Sequence, residues 1–143
     1  MIARRILLAA LLSIGVIAPL QAQSPLRADL GQQWRTADGQ LRWPPNDGCA
    51  DAPVKETLPP GTTIDRYGSD FGRFFAVPGT SFEARALPYD PGALPYKVYV
   101  VRQPLPVEEC KIAAWFDEPG GGEQFKAAEP AAQLVNEGVI APQ

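Results

Sequence analysis

The chain contains no histidine. Without an imidazole there is no Ser-His-Asp or Cys-His nucleophilic arrangement and no histidine-ligated zinc. Cysteine is nearly absent as well, with only Cys49 and Cys110, too few for a four-cysteine metal site. No metal ligation is expected. Basic side chains are outnumbered, 13 against 16 acids, which argues against a general nucleic-acid binder. Long apolar runs are missing except for one, Ile6 to Leu20, and it is too short to cross a membrane comfortably.

That run follows Arg4 and Arg5 and precedes Ala22, the three-part pattern of an export signal. Residues 1–22 are therefore read as a signal peptide. Cleavage there leaves 11 basic and 16 acidic side chains, a net charge of −5. The first cysteine is Cys49, far beyond the cleavage point, which argues against a lipid-anchored N-terminus. The expected location is secreted or periplasmic, with no membrane attachment after cleavage. Two distant cysteines in an oxidising compartment pair most simply as a disulfide, the alternative being two independent thiols. Closing a loop of about 60 residues stabilises by roughly 4 kcal/mol on the chain-entropy account.

What the chain does have is enough apolar material for a core, 45% hydrophobic with three Trp, four Tyr and six Phe, at a length that makes one domain. Glycine and proline are abundant, 13 and 16 residues, which favours many turns and few long helices. Residues 23–57 read as a loop-rich N-terminal extension packed on a core, in which a tryptophan such as Trp34 or Trp43 acts as an anchor. The core covers residues 58–143. Thr62 to Tyr67 alternates like a strand, Arg73 to Val77 is a second short run, and Tyr96 to Arg102 is the best strand. Pro104 and Pro106 should end it. Ile112 to Phe116 is an apolar segment, and Glu129 to Glu137 has weak helical spacing with Gly138 as its stop. The expected fold is α+β, a single compact domain of short twisted strands with a few short helices.

Several stretches carry a resemblance when taken in order: Leu58-Pro59-Pro60-Gly61, Asp65-Arg66-Tyr67-Gly68, and Gly79-Thr80-x-Phe82-Glu83-x-Arg85-Ala86-Leu87-Pro88. Pro95-Tyr96-x-x-Tyr99, Pro104-Leu105-Pro106-Val107, Ala114-Trp115-Phe116 and Pro119-Gly120-Gly121-Gly122-x-Gln124-Phe125 follow. From Leu58 onward the chain resembles the tuberculosis necrotizing toxin domain family of secreted toxins and fungal surface NAD glycohydrolases. The resemblance implies hydrolysis of the nicotinamide-ribose bond of NAD⁺, and often of NADP⁺, with NAD⁺ as substrate and no cofactor. It implies a toxin or NAD-depleting effector and leaves room for a cognate immunity protein as partner.

By motif, the resemblance carries functional roles onto Arg66, Phe74, Arg85 and Gln124. Arg66, Arg85 and Gln124 are expected to be catalytic; Phe74, Tyr67 and Lys97 are expected to bind substrate. Lys97 stands where many relatives have histidine. The residues fit these roles chemically. Between Arg66 and Arg102 five basic side chains face three acids, reversing the sign of the chain average, and an arginine fork can grip a diphosphate. Arg73 and Arg102 read as surface residues pairing with carboxylates. Phe74 and Phe75 point to opposite faces of a strand, which makes Phe74 the candidate to pack on nicotinamide and Phe75 core. The Gly120–Gly122 run lets a ligand approach the backbone, and Gln124 can hold a ribose hydroxyl or align water. Lys97 is either a fixed positive charge near the dinucleotide or a solvated strand residue.

The chemistry tolerates the missing histidine. Nicotinamide leaves as a neutral molecule, so no general acid is required, and orientation with electrostatics can carry the reaction through an oxocarbenium-like state. Two competing functions are an ADP-ribosyltransferase and a non-catalytic secreted module that binds a nucleotide or protein. The Glu-x-Glu and Gln-x-Glu pairs common in transferases are absent.

Overall fold

The structure, a computed structural model, describes residues 25–143; the expected signal peptide lies outside the described residues. Seven strands form one antiparallel sheet: β1 (Val54–Leu58), β2 (Thr63–Tyr67), β3 (Phe74–Ala76), β4 (Tyr96–Val101), β5 (Leu105–Lys111), β6 (Glu123–Ala127) and β7 (Ile140–Pro142). Their spatial order is β1-β5-β6-β3-β2-β4-β7. A single helix, α1 (Ala131–Asn136), is joined by short 3₁₀ turns at Gln32–Trp34, Asn46–Gly48, Glu83–Arg85 and Pro91–Ala93 among the described residues. The α+β class holds, with little helix in it.

β4 forms where β-branched and aromatic residues are densest, and it pairs with β2 on one side and β7 on the other. β4 ends at Val101, ahead of Pro104 as expected, while Pro106 lies inside the next strand, β5. It sits where β5 pairs with β1 alone, opposite Thr57, one residue before the ladder to β6 begins at Val107. A missing N–H costs least where a strand is unpaired on one side. The boundary between residues 57 and 58 also falls inside a strand, since β1 starts at Val54 and contributes an edge of the sheet. Ile112–Phe116 is loop, tied back to the N-terminal region by a bridge between Cys49 and Ile112.

Strand alternation gives the sheet two different faces. On one, Ile64, Phe75, Tyr99, Val107 and Phe125 meet Leu134 of α1 and Ile140 to make the core. Full burial of each such side chain contributes roughly 1.5–3 kcal/mol. On the other, one cross-strand row runs from Val98 through Asp65, Ala76 and Gln124 to Cys110. Only a methyl group stands between Asp65 and Gln124 in that row, so the sheet has a low floor there. The N-terminal region covers part of this face and is fastened to it. Arg27 ion-pairs with Glu118 at 2.7 Å and donates to the Leu87 carbonyl at 2.7 Å. Trp34 packs against Trp115 and Phe116 at ring separations of 5.1 and 5.5 Å, which is the anchoring role expected of a tryptophan in this region. The Cys49–Cys110 disulfide closes the attachment, with Cα atoms 5.6 Å apart.

Candidate functional site

Above that low floor lies a cleft with two lobes of about 320 and 280 Å³. Trp43, Phe74, Arg85, Leu87, Ile112 and Gln124 line both. Asp47, Gly48, Trp115 and Phe116 complete the larger lobe, and Asp65, Tyr67, Ala76 and Tyr89 the smaller. Each is near the lower end of small-molecule site volumes. Residues distant in sequence thus converge because three strands, β2, β3 and β6, and three loops meet over Ala76.

Phe74 and Phe75 separate as strand geometry requires: Phe75 is buried in the core and Phe74 is 40% exposed in the cleft. Gln124 is buried beside the disulfide, its Nε2 donating to the Asp47 carbonyl at 3.1 Å. Arg85 has a different setting from the one expected. Its fork does not stand open for a diphosphate but grips Asp65, with Nη1 to Oδ1 at 2.7 Å and Nη2 to Oδ2 at 2.8 Å. Nε and Nη2 also donate to the Thr80 carbonyl, and the guanidinium lies 5.0 Å from the Tyr67 ring centroid. Asp65 is fully buried and accepts a third hydrogen bond, from the Tyr96 hydroxyl at 2.8 Å. That hydrogen bond, with burial adding to it, pushes the Tyr96 phenol above its ordinary value. Tyr67 packs between Phe82 and Tyr96 at 5.1 and 4.8 Å, so its ring is a wall of the smaller lobe.

Lys97 lines neither lobe, and Arg66 lines only the smaller. They are direct cross-strand partners in β2 and β4, and their side chains share the core face with Ile64 and Tyr99. Arg66 borders the smaller lobe, yet its guanidinium donates to the Phe74 carbonyl at 2.8 Å and the Ser69 carbonyl at 2.6 Å. A Cβ at Gly72 would overlap that guanidinium, so the 68–73 loop is moulded onto the arginine. Burial pulls the Arg66 guanidinium below its ordinary value, opposed by Tyr99 and Asp70, and its Nε is buried without a partner. Lys97 pairs with Asp70 at 2.7 Å, and Tyr99 donates to the other oxygen of the same carboxylate at 2.9 Å. Hydrogen bonds from Lys97 and Tyr99 hold Asp70 below the usual carboxylate range. Tyr99 is pushed up to about 12, first by burial and then by that hydrogen bond. Arg66 and Lys97 are thus each held by partners within the protein, Arg66 by the Phe74 and Ser69 carbonyls and Lys97 by Asp70.

Backbone packs closely on the Gly120–Gly122 run: Gly122 donates to the Ala84 carbonyl at 3.0 Å and Gly121 to the Ile112 carbonyl at 2.8 Å. A Cβ on Gly122 would stand 2.8 Å from the Ala84 oxygen. The run lets the chain close around the 3₁₀ turn that presents Arg85.

Two contributors were missed in the sequence. Trp43, 55% exposed, lines both lobes from a region to which no function was assigned. The Asn46–Gly48 turn carries three consecutive left-handed residues, with φ of 53°, 56° and 81°, and it supplies the carbonyl that holds Gln124. The local signal was present in the Asn-Asp-Gly sequence, since these residues tolerate that region best. No group of three metal-ligating side chains occurs among the described residues, and no helix there is long and apolar enough to cross a membrane.

Comparison with known proteins identifies the architecture around this cleft. The conidial surface nicotinamide adenine dinucleotide glycohydrolase nadA of Aspergillus fumigatus is 33% identical over 130 residues, covering 79% of this chain and 55% of the relative. The chain thus spans about half the length of that curated relative. The structure of the tuberculosis necrotizing toxin in complex with its immunity factor IFT superposes with a TM-score of 0.61 at 23% identity, over 75% of this chain and 65% of the other; that likeness bears on the fold. The profile of the family described as Tuberculosis necrotizing toxin matches residues 57–142, a span that contains β2 to β7, Arg85 and Gln124, and the chain belongs to that family.

Proposed function

We propose that the protein hydrolyses the nicotinamide-ribose bond of NAD⁺, giving nicotinamide and ADP-ribose, and that NADP⁺ is a second substrate of the same cleft. The observation that carries this reading is the convergence of Phe74, Arg85 and Gln124 on one cleft, in a chain whose relative is named an NAD glycohydrolase.

In this scheme the exposed faces of Phe74 and Trp43 sandwich the planar pyridinium and keep water off its leaving side. Gln124 presents an amide oxygen to the reacting ribose, where it holds a hydroxyl or aligns the attacking water. As the bond stretches, positive charge grows on the ribose carbon, and a preorganised amide dipole stabilises it without reorganising. Arg85 acts chiefly as a strut. Its salt bridge to Asp65 fixes the lobe wall, and the guanidinium has one N–H beyond the contacts described, enough for a single phosphate contact but not for a fork. Nicotinamide departs neutral, so the cleft needs no general acid.

Transfer to a protein acceptor has less support, because no glutamate lines either lobe and both cleft aspartates are already paired. A cognate immunity protein and export from the cell complete the reading. The deciding experiment incubates purified protein with NAD⁺ or NADP⁺ and follows free nicotinamide with and without an acceptor protein. Stoichiometric nicotinamide and free ADP-ribose support hydrolysis. Labelled acceptor would establish transfer, and no release at all would leave a binding module.

A further inference from the structure

We propose that the Asn46–Gly48 turn, with the Cys49–Cys110 disulfide, is a positioning device for Gln124, so that cleavage depends on the oxidised state. The inference rests on the role assigned to Gln124 above. Its basis is the set of contacts made by the Gln124 amide. Nε2 donates to the Asp47 carbonyl at 3.1 Å and lies 3.6 Å from Cys110 Sγ and 3.9 Å from Cys49 Sγ. A carbonyl oxygen and two disulfide sulfurs are all acceptors. The nitrogen must therefore face them, and the amide cannot flip without placing oxygen against oxygen. Among the described residues no donor reaches Oε1, which is left as a pure acceptor for the cleft.

The turn that supplies this carbonyl is held from several sides. Asn46 and Asp47 sit in the left-handed region, where non-glycine residues are costly and persist only when their surroundings hold them. Cys49 follows directly and is bonded to Cys110, the cross-strand neighbour of Gln124. The Asp47 carboxylate pairs with Lys126 at 2.7 Å, two residues along β6 from Gln124 on the same face. Ala113 donates to the Gly48 carbonyl at 2.8 Å. Backbone, side chain and disulfide thus all tie one strained turn to the strand that carries Gln124. A plain structural crosslink would need none of the contacts to the amide.

The test measures NAD⁺ cleavage by the mature protein before and after reduction, with thiol titration to verify the state and circular dichroism to verify the fold. The expected result is a fall in kcat of at least tenfold on reduction with KM changed less than threefold. Cys49→Ser/Cys110→Ser should match the reduced protein. If reduction unfolds the chain, Lys126→Met decides instead, since it removes the ion pair and keeps the disulfide: kcat should fall about threefold and Lys126→Arg should restore it. A folded, reduced protein with the kcat of the oxidised form would overturn the proposal, as would a Lys126→Met protein with wild-type kcat. Absence of cleavage in the oxidised protein would instead count against the hydrolase reading. The positioning device then remains testable by the Gln124 side-chain amide protons, which should resist solvent exchange when oxidised and lose that protection when reduced; equal exchange in both states would sink it.

Discussion

The two faces of the sheet use the same residue types for opposite ends. On one face Lys97, Asp70 and Tyr99 form a hydrogen-bonded polar cluster, with Arg66 held beside it by the Ser69 and Phe74 carbonyls; on the other Arg85, Asp65, Tyr96 and Tyr67 form another. Each has a carboxylate receiving both a cation and a tyrosine hydroxyl. The first cluster caps the apolar core and fixes the 68–73 loop, whereas the second walls a cleft containing two exposed aromatic faces and a free amide oxygen. Charge in this molecule is therefore informative by face, not by position in the sequence. The five basic residues between Arg66 and Arg102 do not make one patch, because strand alternation and ion pairing divide them.

Substitutions can break this contrast, and the largest effect is expected from Arg85. Arg85→Ala leaves the fully buried Asp65 without its cation, and losing one partner of a buried pair costs roughly 3–5 kcal/mol. Denaturant unfolding should show a loss of that size; a loss below about 1 kcal/mol would mean that water reaches Asp65. Next comes Gln124. Gln124→Ala should lower kcat by about a hundredfold, the scale of removing one preorganised polar group at a reacting centre, with a much smaller change in KM. Gln124→Glu keeps the shape but replaces the donor that Asp47 needs, so it should restore less than a tenth of the activity. Wild-type kcat in either variant would remove the residue from the site.

Arg66→Ala should act on stability, by roughly 1.5–3 kcal/mol for the lost charge-assisted hydrogen bonds. NAD⁺ cleavage per folded molecule should stay within tenfold of wild type, and a large rise in KM at unchanged stability would return Arg66 to the substrate. The Asp70 cluster should show itself in pH dependence. Asp70 is lowered in the folded state, so its stabilising effect is present above the ordinary carboxylate value and fades as pH falls through the lower folded value. Tyr99 is raised to about 12, so its effect is present below about pH 10 and is lost as pH rises through 12. Asp70→Asn should flatten the acid limb and let Tyr99 ionise at lower pH, while an unchanged tyrosine titration would show that burial alone raises Tyr99. Smallest of all is Lys97→Ala. An exposed ion pair contributes about 0–1 kcal/mol, and neither KM nor its salt dependence should change. A salt dependence weaker than that of wild type would instead place Lys97 near the dinucleotide.

Some of this was legible before folding. The core strand Tyr96–Val101, the opposite facing of Phe74 and Phe75, and the cysteine pair follow from local pattern, because β-branched density, period-two alternation and a count of two are properties of the chain itself. The strands Val54–Leu58 and Glu123–Ala127 were not legible. Charged residues occupy several of their positions, and cross-strand hydrogen bonding, which no local window reports, decides their conformation. The contribution of Trp43 was hidden for a related reason: a tryptophan fastened to a core and one exposed in a cleft look alike until the opposite wall is known.

By itself the sequence determined the chemistry on offer: no histidine, a single pair of cysteines, one well-placed glutamine and aromatics enough for both a core and a cleft. These follow from composition and motif order, and no packing arrangement alters them. Only the tertiary structure decided which arginine grips Asp65, which lysines pair with aspartates and which carbonyl holds the Gln124 amide. The physical reason is that a side chain's partners depend on the register of strands far apart in the chain. Shifting a strand by one residue exchanges its two faces, and with them the division between what stabilises this protein and what is left free to react.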